Sequence, residues 1–75
     1  MKERRIRMSF EDAREFVKTA SRCDFDIDVF YNRVIIDAKS ILGVLGLDFS
    51  QTLTVQYAGE DASFEQFIHK YQVCS

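Results

Sequence analysis

The sequence predicts an α+β fold: an open-faced β-sandwich in the order β-α-β-β-α-β-α, with a four-stranded, mainly antiparallel sheet covered on one face by helices. Three observations predict it. Short stretches near residues 2–8, 24–29, 34–36 and 52–57 are β-branched or alternate apolar with polar side chains, as strands with one dry and one wet face do. Two longer stretches, 10–20 and 63–71, repeat apolar residues at helical spacing. The chain has 75 residues and no proline, linker or repeat, so residues 1–75 read as one small domain whose elements share one core.

Lys2 to Met8 alternates weakly, with Arg5 and Arg7 on one side and Arg4, Ile6 and Met8 on the other. It reads as a strand with a charged outer face. Ser9-Phe10-Glu11-Asp12 fits a capping box, and Glu11 and Asp12 suit the positive end of a helix dipole. Phe10, Ala13, Phe16, Val17 and Ala20 then form one apolar stripe, predicting a helix that ends near 21–24.

Asp24 to Val29 alternates with period two, so Phe25, Ile27 and Val29 are expected to point inward and the aspartates to water. Three carboxylates on alternate strand positions stand nearly 7 Å apart and lack flanking ligands, so a solvated face is preferred to a metal site. Phe30 to Arg33 reads as the turn, with Asn32 able to take positive φ, and Val34 to Ile36 as the partner strand of a hairpin.

Ser40 is a candidate N-cap for a short apolar helix closed by Gly46, which offers permissive backbone at the helix end. Ile41, Leu42 and Leu45 share one face of it. That face is either core or an apolar docking patch beside a modifiable serine; periodicity does not choose. Thr52 to Tyr57 alternates, with Leu53, Val55 and Tyr57 inward. After a turn at 58–61, Phe64, Phe67, Ile68 and Tyr71 stripe a last helix over 63–71.

Composition narrows the function classes. The net charge of −2 argues against a general nucleic-acid binder, although Lys2, Arg4, Arg5 and Arg7 form a local basic strand. Seven phenylalanines and three tyrosines are expected to carry much of a small core. With neither a transmembrane run nor an apolar signal segment, the chain reads as cytoplasmic. Cys23 and Cys74 have no ligand spacing and are expected as reduced thiols. One histidine makes a His/Cys metal cluster implausible, and no cofactor is expected.

Phe16-Val17-Lys18-Thr19-Ala20-Ser21, Asp26-Ile27, Asp37-Ala38-Lys39-Ser40-Ile41-Leu42-Gly43-Val44-Leu45 and Ala58-Gly59-Glu60-Asp61-Ala62 together resemble HPr, the small phosphocarrier of the bacterial sugar phosphotransferase system. The resemblance runs from about Phe16 to about Ile68 and implies the same topology. It departs at the phospho-accepting loop, G-L-H-A-R-P in the family. There Ser9 takes the histidine position, Glu11 the arginine and Asp12 the proline, and several loop residues are missing. A phosphohistidine needs an imidazole nitrogen with donors aimed at phosphate. Ser9 has none, and two carboxylates would repel a phosphoryl dianion. The chain is therefore expected not to carry phosphate in the HPr manner, nor to be an enzyme. His69, which reads as a surface residue of the last helix, is the alternative nucleophile of a divergent carrier.

The resemblance carries two roles to the Ser40 segment. Ser40 matches the serine that an ATP-dependent kinase/phosphorylase modifies in Gram-positive HPr proteins, giving a corepressor form that serves carbon catabolite repression. Ile41, Leu42 and Leu45 match the apolar dock for partners. Lys39 is a nearby positive partner for a phosphate on Ser40 and is expected to join Ile41, Leu42 and Leu45 in binding partners. Phosphate on an N-cap serine would add about −1.5 to −2 charge and meet the helix dipole, worth about 0.3–1 kcal/mol at an exposed site. The implied partners are proteins of the phosphotransferase and carbon-regulation system: an HPr kinase-like enzyme, a transcription regulator or an Enzyme I-like protein. A membrane is not implied.

Overall fold

The computed structural model describes residues 1–73. The elements are β1 (Lys2–Ile6), α1 (Phe10–Ser21), β2 (Ile27–Tyr31), β3 (Val34–Asp37), α2 (Ile41–Leu45), β4 (Leu53–Tyr57) and α3 (Ala62–Tyr71). The strands form one antiparallel sheet in the order β1-β4-β2-β3. Register explains the two faces. Ile6 pairs with Leu53 and Arg4 with Val55; Val55 pairs in turn with Val29, and Val29 with Ile36. These residues line the helix-covered face. Glu3, Arg5, Asp28, Phe30, Ile35, Thr54 and Gln56 fall on the alternate positions of the solvent face. The expected α+β open-faced sandwich is the fold observed.

The dry layer lies between the sheet and α1 with α3. Ala13, Phe16, Val17 and Ala20 of α1 are buried, as are Phe64 and Ile68 of α3, against Ile27, Val29, Leu53 and Val55. Aromatic rings carry its centre. Phe64 meets Tyr57 edge-on at 5.0 Å between centroids and Phe16 at 6.1 Å, while Phe25 stacks on Tyr57 at 6.1 Å. A Cβ on Gly59 would overlap the Phe25 ring, so this turn takes glycine for close approach.

The structure corrects several boundaries. β1 stops at Ile6, although Met8 is still buried. β2 begins at Ile27 rather than Asp24, because Phe25 folds across Tyr57 before the strand starts. Phe30 and Tyr31 are strand rather than turn. The turn is Asn32-Arg33, with Asn32 at φ 54°, and the hairpin closes at Tyr31 opposite Val34. The last helix starts at Ala62 rather than Ser63, with Asp61 as its N-cap, the carboxylate accepting from the Phe64 amide at 2.9 Å. Gly46 caps α2 at φ −84°, so left-handed freedom is not what this position uses. Phe10, the first residue of α1, is 54% exposed rather than buried with the rest of its stripe. The expectation for Cys74 lies outside the described residues.

Candidate docking and modification surface

Ser40 lies in the short crossing from β3 to α2. Its amide donates to the Asp37 carbonyl (2.9 Å), its carbonyl accepts from Val44 (2.9 Å), and its hydroxyl accepts from the Gly43 amide (3.3 Å). It is the N-cap of α2, as its residue type and position predict. The side chain is exposed. Gly43 makes this geometry possible. A Cβ there would lie 2.8 Å from Ile36 Cγ2 and 3.3 Å from Ser40 Oγ. Glycine therefore lets α2 settle on β3 while leaving room for the serine hydroxyl.

The predicted apolar face of α2 divides. Val44, not singled out by the pattern, is the fully buried anchor. Leu42 is 84% exposed, Ile41 is exposed, and Leu45 is half-buried against the core. A five-residue helix cannot bury a full stripe; Val44 is fully buried, Leu45 is partly covered, and Ile41 and Leu42 open to water. Phe10 extends the apolar exposure. It meets Phe49, in the loop after α2, edge-on at 5.9 Å. The apolar stripe expected for α1 includes Phe10, while Phe49 lies in a loop with no periodic signal. Exposure at the first turn of α1 depends on tertiary packing, which periodicity does not encode.

Lys39 departs from expectation. Its Nζ donates to the Cys23 carbonyl at 2.9 Å, tying the strand exit to the end of α1 rather than turning to Ser40. The Lys39 amide donates to Asp37 Oδ1 at 2.9 Å. Cys23 is a free, buried thiol, and burial pushes its pKa up, with Asp61 adding to the effect, so it is a poor nucleophile.

At the start of α1 the capping box is complete. Ser9 Oγ accepts from the Asp12 amide (3.2 Å) and donates to Asp12 Oδ2 (2.8 Å), which also accepts from the Ser9 amide (3.0 Å). These Ser9 bonds, backbone first, hold the Asp12 carboxyl below its ordinary range, helped by the Tyr71 hydroxyl. His69 is exposed on α3 and lines a recess with Arg4 of β1. Among the described residues no group of three or more His, Cys, Asp or Glu side chains converges as metal ligands do, and no helix is long and apolar enough to cross a membrane.

The family model described as the PTS HPr component phosphorylation site matches residues 9–69. The chain belongs to the HPr family. Among solved structures it is similar to HPr-C-His from Thermoanaerobacter tengcongensis, at 26% identity and a TM-score of 0.73, with 93% of each chain covered. It shares its fold with Bacillus subtilis Crh, a catabolite repression protein whose structure is described as a domain-swapped, intertwined dimer. That match has 21% identity and a TM-score of 0.63, and covers 93% of this chain and 88% of Crh. No curated protein matches. In HPr-family terms, the matched region opens on the Ser9 capping box and closes at His69, and it contains the whole Ser40 segment.

Proposed function

We propose that this HPr-family chain is a non-catalytic, protein-binding regulator that carries no phosphate on a histidine at the start of α1. Ser40 is its regulatory phosphorylation site, and Ile41, Leu42 and Leu45 are its dock. Its setting is cytoplasmic, and its partners are proteins of the phosphotransferase and carbon-regulation system. One observation carries the reading: an exposed N-cap hydroxyl stands beside exposed Ile41 and Leu42, while the family's histidine position holds a serine engaged with Asp12. The role of Crh in catabolite repression is a precedent for such a regulator on this fold.

The chemistry follows from charge. Phosphorylation would place about −1.5 to −2 charge beside Ile41 and Leu42. Lys39 is committed to the Cys23 carbonyl, so the cations that recognise phosphoserine come from the partner, most strongly as arginine. Modification thus places a dianionic group beside the exposed apolar side chains of α2.

Intact-mass measurement tests this. The chain is incubated with phosphoenolpyruvate and Enzyme I, and separately with ATP and HPr kinase. The expected result is no adduct in the first mixture and, in the second, a stable gain of the ~80 Da of one phosphate, absent in Ser40→Ala. An acid-labile adduct in the first mixture overturns the reading and points to His69 as nucleophile of a divergent carrier. No adduct in the second removes Ser40 from the proposal.

A further inference from the structure

Two cations of β1 point to the helix-covered side of the sheet, and they are treated differently. Lys2 is matched. Its Nζ lies 3.4 Å from Glu65 Oε2 and 3.8 Å from Glu60 Oε1, donates to the Gly59 carbonyl at 3.2 Å, and sits over the Tyr57 ring. Arg4 is half-buried, and among the described residues its guanidinium has no carboxylate partner. Its side-chain hydrogen bond goes to the neighbouring Glu3 carbonyl at 3.2 Å. A guanidinium has five donors, so most of its capacity is unused.

Arg4 forms one wall of a recess of about 550 Å³ between β1 and α3, with Glu65, Gln66, Ile68, His69 and Gln72 as the rest of the lining. The end of α3 is bound to β1 there. Arg7 donates to the Tyr71 carbonyl (3.0 Å), Val73 to the Arg5 carbonyl (2.9 Å), and Ile6 bridges Gln72. The walls are therefore joined through backbone rather than by side chains alone. The lining is rich in donors: one guanidinium, one imidazole and two primary amides. Its one carboxylate, Glu65, is already occupied by the Tyr57 hydroxyl at 2.7 Å and by Lys2.

We propose that this recess binds the oxyanion of a small phosphorylated or carboxylated metabolite, with Arg4 as the charged clamp and Gln66, His69 and Gln72 as neutral or cationic donors. A planar guanidinium suits two oxygens of one phosphate or carboxylate, and buried Ile68 offers an apolar floor for the body of the molecule. The recess has the volume of small-molecule sites, more than a bare phosphate fills. Binding here is separate from Ser40 and needs no covalent step.

The test is an NMR titration of the ¹⁵N-labelled chain with inorganic phosphate, glycerol 3-phosphate and succinate in turn. The expected result is saturable amide shifts confined to β1 and the last two turns of α3, with a Kd on the order of 1 mM for the better of the two organic anions. The tighter organic anion identifies the ligand class. Arg4→Gln weakens binding about tenfold or more, whereas Arg5→Gln, on the opposite face of the same strand, leaves it unchanged. If Arg4→Gln does not fold, Gln66→Glu, a change on an exposed helix position, tests the same recess by adding a repelling charge and abolishes the shifts. The proposal is overturned if Arg4→Gln and Arg5→Gln weaken binding equally, if shifts spread evenly over Lys18, Arg22 and Lys70, or if no saturable shift occurs below about 20 mM.

Discussion

The Tyr71 hydroxyl donates to Asp12 Oδ1 at 3.0 Å, tying the last turn of α3 to the first turn of α1. Asp12 thereby serves two ends at once: one oxygen closes the capping box with Ser9, and the other holds the C-terminal helix. This bond closes the helical layer at the start of α1.

Acid sensitivity follows with a defined sign. The folded state holds Asp12 below the ordinary carboxylate value of 3.8. Its contribution is therefore present above the unfolded value and is lost as pH falls through the lower folded one. Urea unfolding of the parent and of Asp12→Asn at pH 7 and below pH 4 checks this. The difference between the two proteins is expected to shrink in acid. Ser9→Ala, which removes the N-cap, is expected to cost about 1 kcal/mol at pH 7.

At alkaline pH the relevant group is Tyr57. Burial first, and then the bond to Glu65, push its phenol well above the ordinary value of 10.0. A raised folded pKa contributes stability that is complete below the unfolded pKa and declines as pH rises beyond it. Phenolate absorbance should show this tyrosine titrating late, together with loss of stability above about pH 10. Tyr57→Phe is expected to cost about 1 kcal/mol at neutral pH and to weaken that alkaline decline.

Gly43→Ala sets two effects against each other. Alanine raises helix propensity by about 1 kcal/mol, but its methyl meets Ile36 Cγ2 at 2.8 Å and crowds the Ser40 hydroxyl. Overpacking of this kind costs about 1–3 kcal/mol, so net destabilisation is expected. The double-mutant cycle with Ile36→Ala should show a favourable coupling of at least about 0.5 kcal/mol, read from urea midpoints. An additive cycle would mean that α2 shifts freely off β3.

The proposed dock on α2 allows folding and binding to be tested one residue at a time. Leu42→Ser is expected to leave stability within about 0.5 kcal/mol, because the side chain is 84% exposed, while abolishing capture of a docking partner. Val44→Ala removes two methyl-sized groups from a fully buried site and should cost about 1.5–3 kcal/mol. Thermal unfolding and partner titration on the same two variants separate these effects. Similar destabilisation by both would refute the division of this helix into anchor and dock.

Local order was legible where a feature depends on neighbours in the chain. The Ser9 capping box, the Ser40 N-cap, the positive φ of Asn32 and the inward Leu53, Val55 and Tyr57 all follow from short-range rules, and all are present. Helical spacing on α2 was less informative. Over five residues a 3.6-residue period names a face but not which member of it meets the sheet, so Val44 was missed as the anchor.

The amino-acid sequence by itself determined the element types, their order and the HPr-family segment around Ser40, because capping, alternation and glycine spacing act within a few residues. Tertiary structure alone decided what long-range approach creates. It turned Lys39 to the Cys23 carbonyl, bonded Tyr71 to Asp12 and Tyr57 to Glu65, exposed Phe10 against Phe49, and brought Arg4 and His69, 65 positions apart in the chain, to one recess. Each of these depends on the register of β1 against β4 and on where α3 crosses the sheet edge, and no local residue pattern encodes that geometry.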